Sequence, residues 1–278
     1  MTTTKQQPTT FFNLEGKVIV ITGATGVLGE AFVNGVAEMG GRVALLGRNE
    51  SIGNERAEQL LKQGKEAIFI KTDVLQKKEL QSAKEKILEK WGRIDGLVNA
   101  AGGNVPEAVI QPGSDIFNID IDGLKKAFDL NLFGTLLPVA VFGDALQSSG
   151  KASIVNISSM AAQTSITRVL GYSMAKAAID NYTRFMCVEL ASRYGDSIRI
   201  NAIAPGFFIT EQNRKLLTNE DKTYTSRGEA VIRSTPYKRF GEPAELVGAL
   251  VWLLSDASSF VSGEVICIDG GFHVFSGV

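Results

Sequence analysis

Tyr172 and Lys176 stand four positions apart in the run Tyr-Ser-Met-Ala-Lys, within a stretch whose apolar residues recur at helical intervals. On a helix beginning near Tyr172 the two share one face, so the ammonium can sit beside the phenol. A free tyrosine has a pKa of about 10, too high for proton exchange near neutrality, and an adjacent fixed cation is expected to lower it by favouring the phenolate. Tyr172 then becomes a general acid and base. On its own such a pair is more often two neighbours on a helix surface, and Ser159 changes that balance. It stands thirteen positions earlier (172 − 159), at the end of an apolar run, where its hydroxyl can hold a carbonyl oxygen. Asn131, in Asp-Leu-Asn-Leu-Phe-Gly, lies within a long helical stretch, where an asparagine costs helix propensity unless it has another task.

A second constellation lies near the N-terminus, where an apolar run passes into Thr22-Gly23-Ala24-Thr25-Gly26-Val27-Leu28-Gly29 and then into a helix. Glycines at 23, 26 and 29 allow a tight turn, leave bare backbone against a phosphate and let the helix pack close to the strand. The helix N-terminus directs N–H groups at a pyrophosphate. Gly23, Thr25, Gly26, Val27 and Leu28 are therefore expected to bind a dinucleotide, although such a pattern also makes turns without a ligand. The second strand ends in Leu46-Gly47-Arg48-Asn49, with no carboxylate to repel a 2'-phosphate and with Arg48 able to pair with one. NADP is thus favoured over NAD, unless Arg48 is simply solvated. Asp73, with Val74 beside it, follows the third strand and either accepts a hydrogen bond from the adenine amine or caps the next helix.

The elements that must position these groups read as alternating βα units. Strands are predicted over 17–22, 42–46, 66–71, 94–99, 152–158, 197–203 and 264–268, and helices near 28–39, 51–63, 77–91, 122–148, 172–194 and 243–254. The expected fold is one Rossmann-like, doubly wound parallel sheet of seven strands with helices on both faces. Its ligands should bind beyond the carboxyl ends of the strands. Residues 1–13 read as a flexible arm and 14–278 as a single domain. A polar, charged segment at about 207–237 interrupts the rhythm as a substrate lid.

Composition narrows the chemistry. With 44% hydrophobic and 21% charged residues the chain suits a soluble globular protein, and a net charge of -1 gives no reason to expect nucleic acid or an anionic membrane as partner. No uninterrupted apolar stretch reaches the ~18 residues of a membrane span, and no secretory signal opens the chain, so the cytoplasm is the default location. The single histidine, His273, disfavours a Ser-His-Asp hydrolase or a multi-histidine metal site, and no metal is expected. Cys187 and Cys267 lack partners at metal or redox spacing and read as buried fillers.

Taken together, these residues resemble the short-chain dehydrogenases/reductases from about Gly16 to Gly271. The resemblance implies a catalytic tetrad of Asn131, Ser159, Tyr172 and Lys176, with Lys176 also touching the nicotinamide ribose and Asn131 holding a water that links the lysine to solvent. It implies that Asn99, Ala100, Ala101 and Gly102 steady the sheet near the cofactor. Pro205 and Gly206 with Thr210 resemble the segment that positions the nicotinamide carboxamide, and Asp269-Gly270-Gly271 is a further match. A homotetramer is implied, built on helices near 122–148 and 172–194. One departure is the middle glycine of the phosphate turn: the commoner subtype has it where this chain has Val27.

Three segments are similar to a narrower group in that family, the D-mannonate oxidoreductases (fructuronate reductases): Ala101-Gly102-Gly103-Asn104, the lid opening Phe207-Phe208-Ile209-Thr210-Glu211-Gln212-Asn213-Arg214, and the C-terminal run from Gly271 to Val278. The implied substrate is a small hydroxylated sugar acid, D-fructuronate or D-mannonate, held by Ser159, Asn104, Asn213 and Arg214. An arginine fork suits a carboxylate, though a lid arginine is as readily solvated. His273 either reaches an active site or is an ordinary tail residue. Reductases of 3-oxoacyl thioesters or of other polyols would carry the same tetrad. A nicotinamide-sensing regulator would more often have lost the tyrosine or lysine, and both are present here.

Overall fold

The structure is a computed structural model that describes residues 11–210 and 213–278. Most of the expected arm, and Glu211 and Gln212 of the lid opening, lie outside the described residues. Seven parallel strands, β1 (Val18–Thr22), β2 (Arg42–Gly47), β3 (Ala67–Lys71), β4 (Gly96–Asn99), β5 (Ala152–Ile157), β6 (Ile198–Pro205) and β7 (Val265–Ile268), form one sheet in the order β3-β2-β1-β4-β5-β6-β7. This is the expected Rossmann-like architecture. The strand order reverses at β1, so the crevice between the ends of β1 and β4 is where a ligand can enter.

Covering both faces explains why the strands read as continuous apolar runs. Every residue of β1 is buried, and alternate side chains serve opposite layers. Ile19 and Ile21 join Val43, Leu45 and Val98 under α1 (Val27–Glu38) and α9 (Val247–Leu254). Val18 and Val20 join Ala44, Leu46 and Leu97 under α3 (Lys77–Trp91) and α5 (Gly134–Ser149). Each fully buried Ile, Leu or Phe contributes about 1.5–3 kcal/mol. Truncating fully buried Ile21 to alanine would cost about 2–5 kcal/mol, because neighbours on both sides prevent the gap from closing. The layer beneath β2 and β3 is completed by α2 (Glu50–Lys62).

The helix predicted over 122–148 is two helices, α4 (Ile121–Phe128) and α5, joined by a π turn over Asp129–Phe133. The Gly134 N–H reaches back five residues to the Asp129 carbonyl, which inserts an extra residue into the coil. Pro138, inside α5, lacks the N–H that would bond Gly134. Ile121–Ser149 as a whole is long and apolar enough to cross a membrane, but half of its most apolar window is buried inside this fold, against α3, β4 and β5. It is a core element here.

The helix predicted near 172–194 begins two residues earlier, as α6 (Leu170–Tyr194), and β6 ends two residues later than predicted, at Pro205. Beyond β6 the segment expected to be a lid forms α7 (Arg214–Leu217) and α8 (Ser226–Ser234). Thr225 caps α8 by accepting the Gly228 N–H at 3.1 Å. A small apolar cluster of Leu217, Val231 and Phe240 holds this segment together.

Candidate active site

A cavity of about 620 Å³ opens beyond the carboxyl ends of β1, β4, β5 and β6, with Phe207, Leu216 and Arg227 of the following segment on its wall. At one end lies the phosphate turn, from which Gly23, Thr25, Gly26, Val27 and Leu28 all line the wall. A Cβ on Gly29 would stand 2.2 Å from the Gly23 carbonyl oxygen, and Gly23 itself has φ +64. Both positions therefore exclude a side chain. At Gly26 the added carbon would meet only that oxygen, at 3.4 Å, so its missing side chain leaves room towards the cavity. Gly26 also caps α1 without any side-chain hydrogen bond, leaving the helix N–H groups for a ligand. A dinucleotide pyrophosphate fits this cradle.

Thr22 joins the two loops at the switch point. Its Oγ1 accepts the Ala100 and Ala101 N–H groups at 3.1 and 3.2 Å, while Asn99 donates across to Asn156 Oδ1 at 2.9 Å. Ala100 and Gly102 line the cavity; Asn99 and Ala101 stand behind it. Pro205, Gly206 and Thr210 line the opposite wall. Arg48, Asp73 and Val74 are not on the wall. Arg48 is exposed just beyond β2, and Asp73 accepts the Leu75 N–H at 3.0 Å while Gln76 occupies the cap position of α3, so Asp73 closes a turn instead of capping the helix.

Ser159, Tyr172 and Lys176 meet on one stretch of the wall. Ser159 follows β5, where its Oγ accepts the Ala161 N–H at 3.1 Å. Lys176, 3% exposed, donates from Nζ to the Ile157 carbonyl at 2.6 Å and lies 5.5 Å from the centre of the Tyr172 ring. One turn further along α6, buried Asp180 accepts a short hydrogen bond from Ser158. Asn131 sits behind the wall in the π turn. Its Nδ2 donates to Gly103 and Ala127 carbonyls and its Oδ1 accepts the Gly103 N–H, each at 2.9 Å, while its own carbonyl accepts from Thr135. The task that justifies an asparagine there is pinning the 102–103 loop beside Lys176.

The electrostatics correct one expectation. Burial raises the Tyr172 phenol above its ordinary value and outweighs its hydrogen bond with Ser159, which pulls it down. Lys176 is not among the groups that shift the phenol, and it is itself pushed down to about 8 by burial, against the attraction of Asp180. Desolvation also raises Asp180, with Ser158 and Gln163 opposing.

Of the residues expected to meet substrate, Asn104 and Asn213 line the cavity and Arg214 does not. The Asn213 side chain is engaged with the lid backbone, accepting from Thr210 N at 2.8 Å and donating to Phe208 O at 2.7 Å. Asn104 Oδ1 is buried without a hydrogen-bond partner. His273 bonds to Asp269 through Nδ1 at 2.7 Å and stays off the wall. Two arginines that the sequence reading passed over line the cavity, Arg56 and Arg227. Arg56 donates to the Ala24 and Gly26 carbonyls at 2.6 and 2.9 Å and to Glu30 at 2.7 Å, tying α2 to the phosphate turn. Nothing in its local sequence sets it apart from other helix-surface arginines.

A family model described as enoyl-(acyl carrier protein) reductase matches residues 23–273. The uncharacterized oxidoreductase UxuB of Bacillus subtilis is 42% identical over 96% of this chain and 98% of its own. A crystallised candidate D-mannonate oxidoreductase from Haemophilus influenzae, with bound NAD, is 40% identical, covers 96% of this chain and 98% of that one, and superposes with a TM-score of 0.87. A gluconate 5-dehydrogenase from Burkholderia cenocepacia, in complex with NADP and tartrate, is 29% identical over 95% of this chain and 98% of that one, with a TM-score of 0.82. The switch-point crevice, the phosphate cradle and these likenesses over nearly the whole length agree: this chain belongs to the short-chain dehydrogenase/reductase family and is an oxidoreductase acting on CH–OH groups.

Proposed function

We propose that the chain reversibly reduces the ketone of a small hydroxylated sugar acid, D-fructuronate being the leading substrate and D-mannonate its product. The observation that carries this reading is the convergence of the Ser159 hydroxyl, the Tyr172 phenol and the Lys176 ammonium on one wall of a cavity that also holds a phosphate cradle. A bound nicotinamide dinucleotide supplies the hydride in reduction and withdraws it in oxidation. Gly23 to Leu28 would hold its pyrophosphate, and Gly102, Pro205, Gly206 and Thr210 would flank its nicotinamide half. Ser159 donates a hydrogen bond to the ketone oxygen as negative charge develops there. Tyr172, a phenol protonated at neutral pH and raised further by burial, gives that oxygen its proton. Lys176, titrating at about 8, can restore it from the solvent side. Asn131 acts by fixing Gly103, and Asn104, with its unpaired buried acceptor, takes a substrate hydroxyl.

NADPH remains the favoured reductant, since β2 ends in exposed Arg48 with no acid at the ribose position. The sugar-acid class is supported by what two of the relatives are described as binding or oxidising, mannonate and gluconate. Exposed Phe185 and Val188 on α6 support the proposed tetramer, which light scattering would check. The test of function is a panel: fructuronate, neutral ketoses and acetoacetyl thioesters, each with NADPH and NADH, following nicotinamide absorbance. Preferential turnover of fructuronate supports the proposal. Turnover confined to thioesters would replace it with acyl reduction.

A further inference from the structure

The charges on the cavity wall do not balance along its length. Among the described lining residues, the phosphate end carries Arg56 and Glu30, paired at 2.7 Å. In the middle stands Lys176, whose ammonium is held by a backbone carbonyl. The lid end carries Arg227 of α8, and no described carboxylate lines that end. Arg227 is half-buried and is held by neutral groups: it donates to the Thr167 carbonyl at 3.1 Å and to the Thr167 hydroxyl at 3.3 Å. Thr167 belongs to the loop that leads into Tyr172, so this contact ties the lid to the catalytic helix. A guanidinium has five N–H donors, and Thr167 occupies only part of that fork. Nearby Arg168 adds a second positive charge that bears on Arg227, so among the described residues the lid end carries positive charge and no carboxylate.

We infer that Arg227 is the cation that receives the substrate's carboxylate, in place of Arg214, and that it selects ketones carrying an acid group over neutral ketones of the same length. A half-buried fork facing a cavity is suited to a bidentate carboxylate contact, which is stronger where water is scarce. The lid loop fixed by Thr167 then carries Arg227 to a set place relative to Ser159 and Tyr172. This assignment rests on the keto-sugar-acid reading, and it is tested here without turnover.

The experiment uses the full-length protein saturated with NADPH and measures calorimetric binding of D-gluconate and of D-glucitol, which differ in the carboxylate. Wild type is expected to prefer gluconate by about ten- to a hundredfold. Arg227→Gln should lose that preference while keeping glucitol and NADPH affinities, Arg227→Lys should recover part of it, and Arg214→Gln should leave it intact. Loss of preference in Arg214→Gln with none in Arg227→Gln would overturn the assignment, as would a wild type that binds both polyols equally. Failure of fructuronate turnover in the panel, with the Arg227-dependent preference intact, would sink the named substrate and leave the carboxylate site standing.

Discussion

Replacing Lys176 with methionine isolates the electrostatic cost of the proposed catalytic wall. In the folded protein the lysine titrates at about 8, against an ordinary 10.5. Between those values the unfolded chain binds more protons than the folded one, so stability rises with pH across that window. Below it the buried ammonium costs about 3 kcal/mol, at about 1.4 kcal/mol for each pH unit separating the two values. From pH 7 to pH 9.5 the wild type should recover about 2 kcal/mol of this. Lys176→Met removes the titration but strands the Ile157 carbonyl, a loss of about 1–3 kcal/mol that does not vary with pH. The raised Cys267 thiol is common to both proteins and cancels in the difference. Urea unfolding of both proteins at pH 7 and 9.5 gives the comparison. The wild type should gain about 2 kcal/mol on the variant between the two pH values. A gap that stays constant would show that Lys176 is charged throughout and that burial does not govern it.

Two glycines of the phosphate turn should respond in opposite ways. Gly26→Ala, with only one 3.4 Å contact for the new carbon, should leave the melting temperature of the apoprotein nearly unchanged yet weaken NADPH binding at least tenfold by fluorescence titration. Gly29→Ala forces a carbon to 2.2 Å from backbone oxygen and should cost about 3 kcal/mol or prevent folding. Asp180→Ala strands the Ser158 hydroxyl and removes the acid opposing the downward shift of Lys176. It should lose about 1–3 kcal/mol and move the Lys176 limb of the pH–rate profile to lower pH. Asp180→Asn, which retains an acceptor for Ser158, should regain most of the stability in thermal melts without restoring the pH profile.

Sheet and site were legible to different depths. The inner strands could be located because both their faces are buried, so β1 reads Val-Ile-Val-Ile-Thr with no polar interruption before the turn. The phosphate turn was legible because it is local: adjacent residues make the whole cradle. The π turn was not, since Asp129–Phe133 keeps the helical pattern and differs by one inserted residue, and Asn131 gave the only hint of it. Charge interplay was also out of reach. Spacing placed Lys176 beside Tyr172, but burial, a property of the assembled wall, decides that the phenol rises and the ammonium falls. Arg56 and Arg227 act across distances of 26 to 60 residues in the chain, where a linear reading offers no signal. Arg214 drew notice for standing at the lid opening, and the fold gives the place on the wall to the arginine of the next helix instead.

The account depends most on Tyr172 as the proton donor. Purified Tyr172→Phe should bind NADPH with wild-type affinity, melt within a few degrees of wild type, and reduce the best ketone of the panel at least about a hundredfold more slowly, as expected for loss of a general acid at about 10²–10⁴. Turnover within a fewfold of wild type in that variant would contradict the assignment and send the search for the acid elsewhere in the cavity.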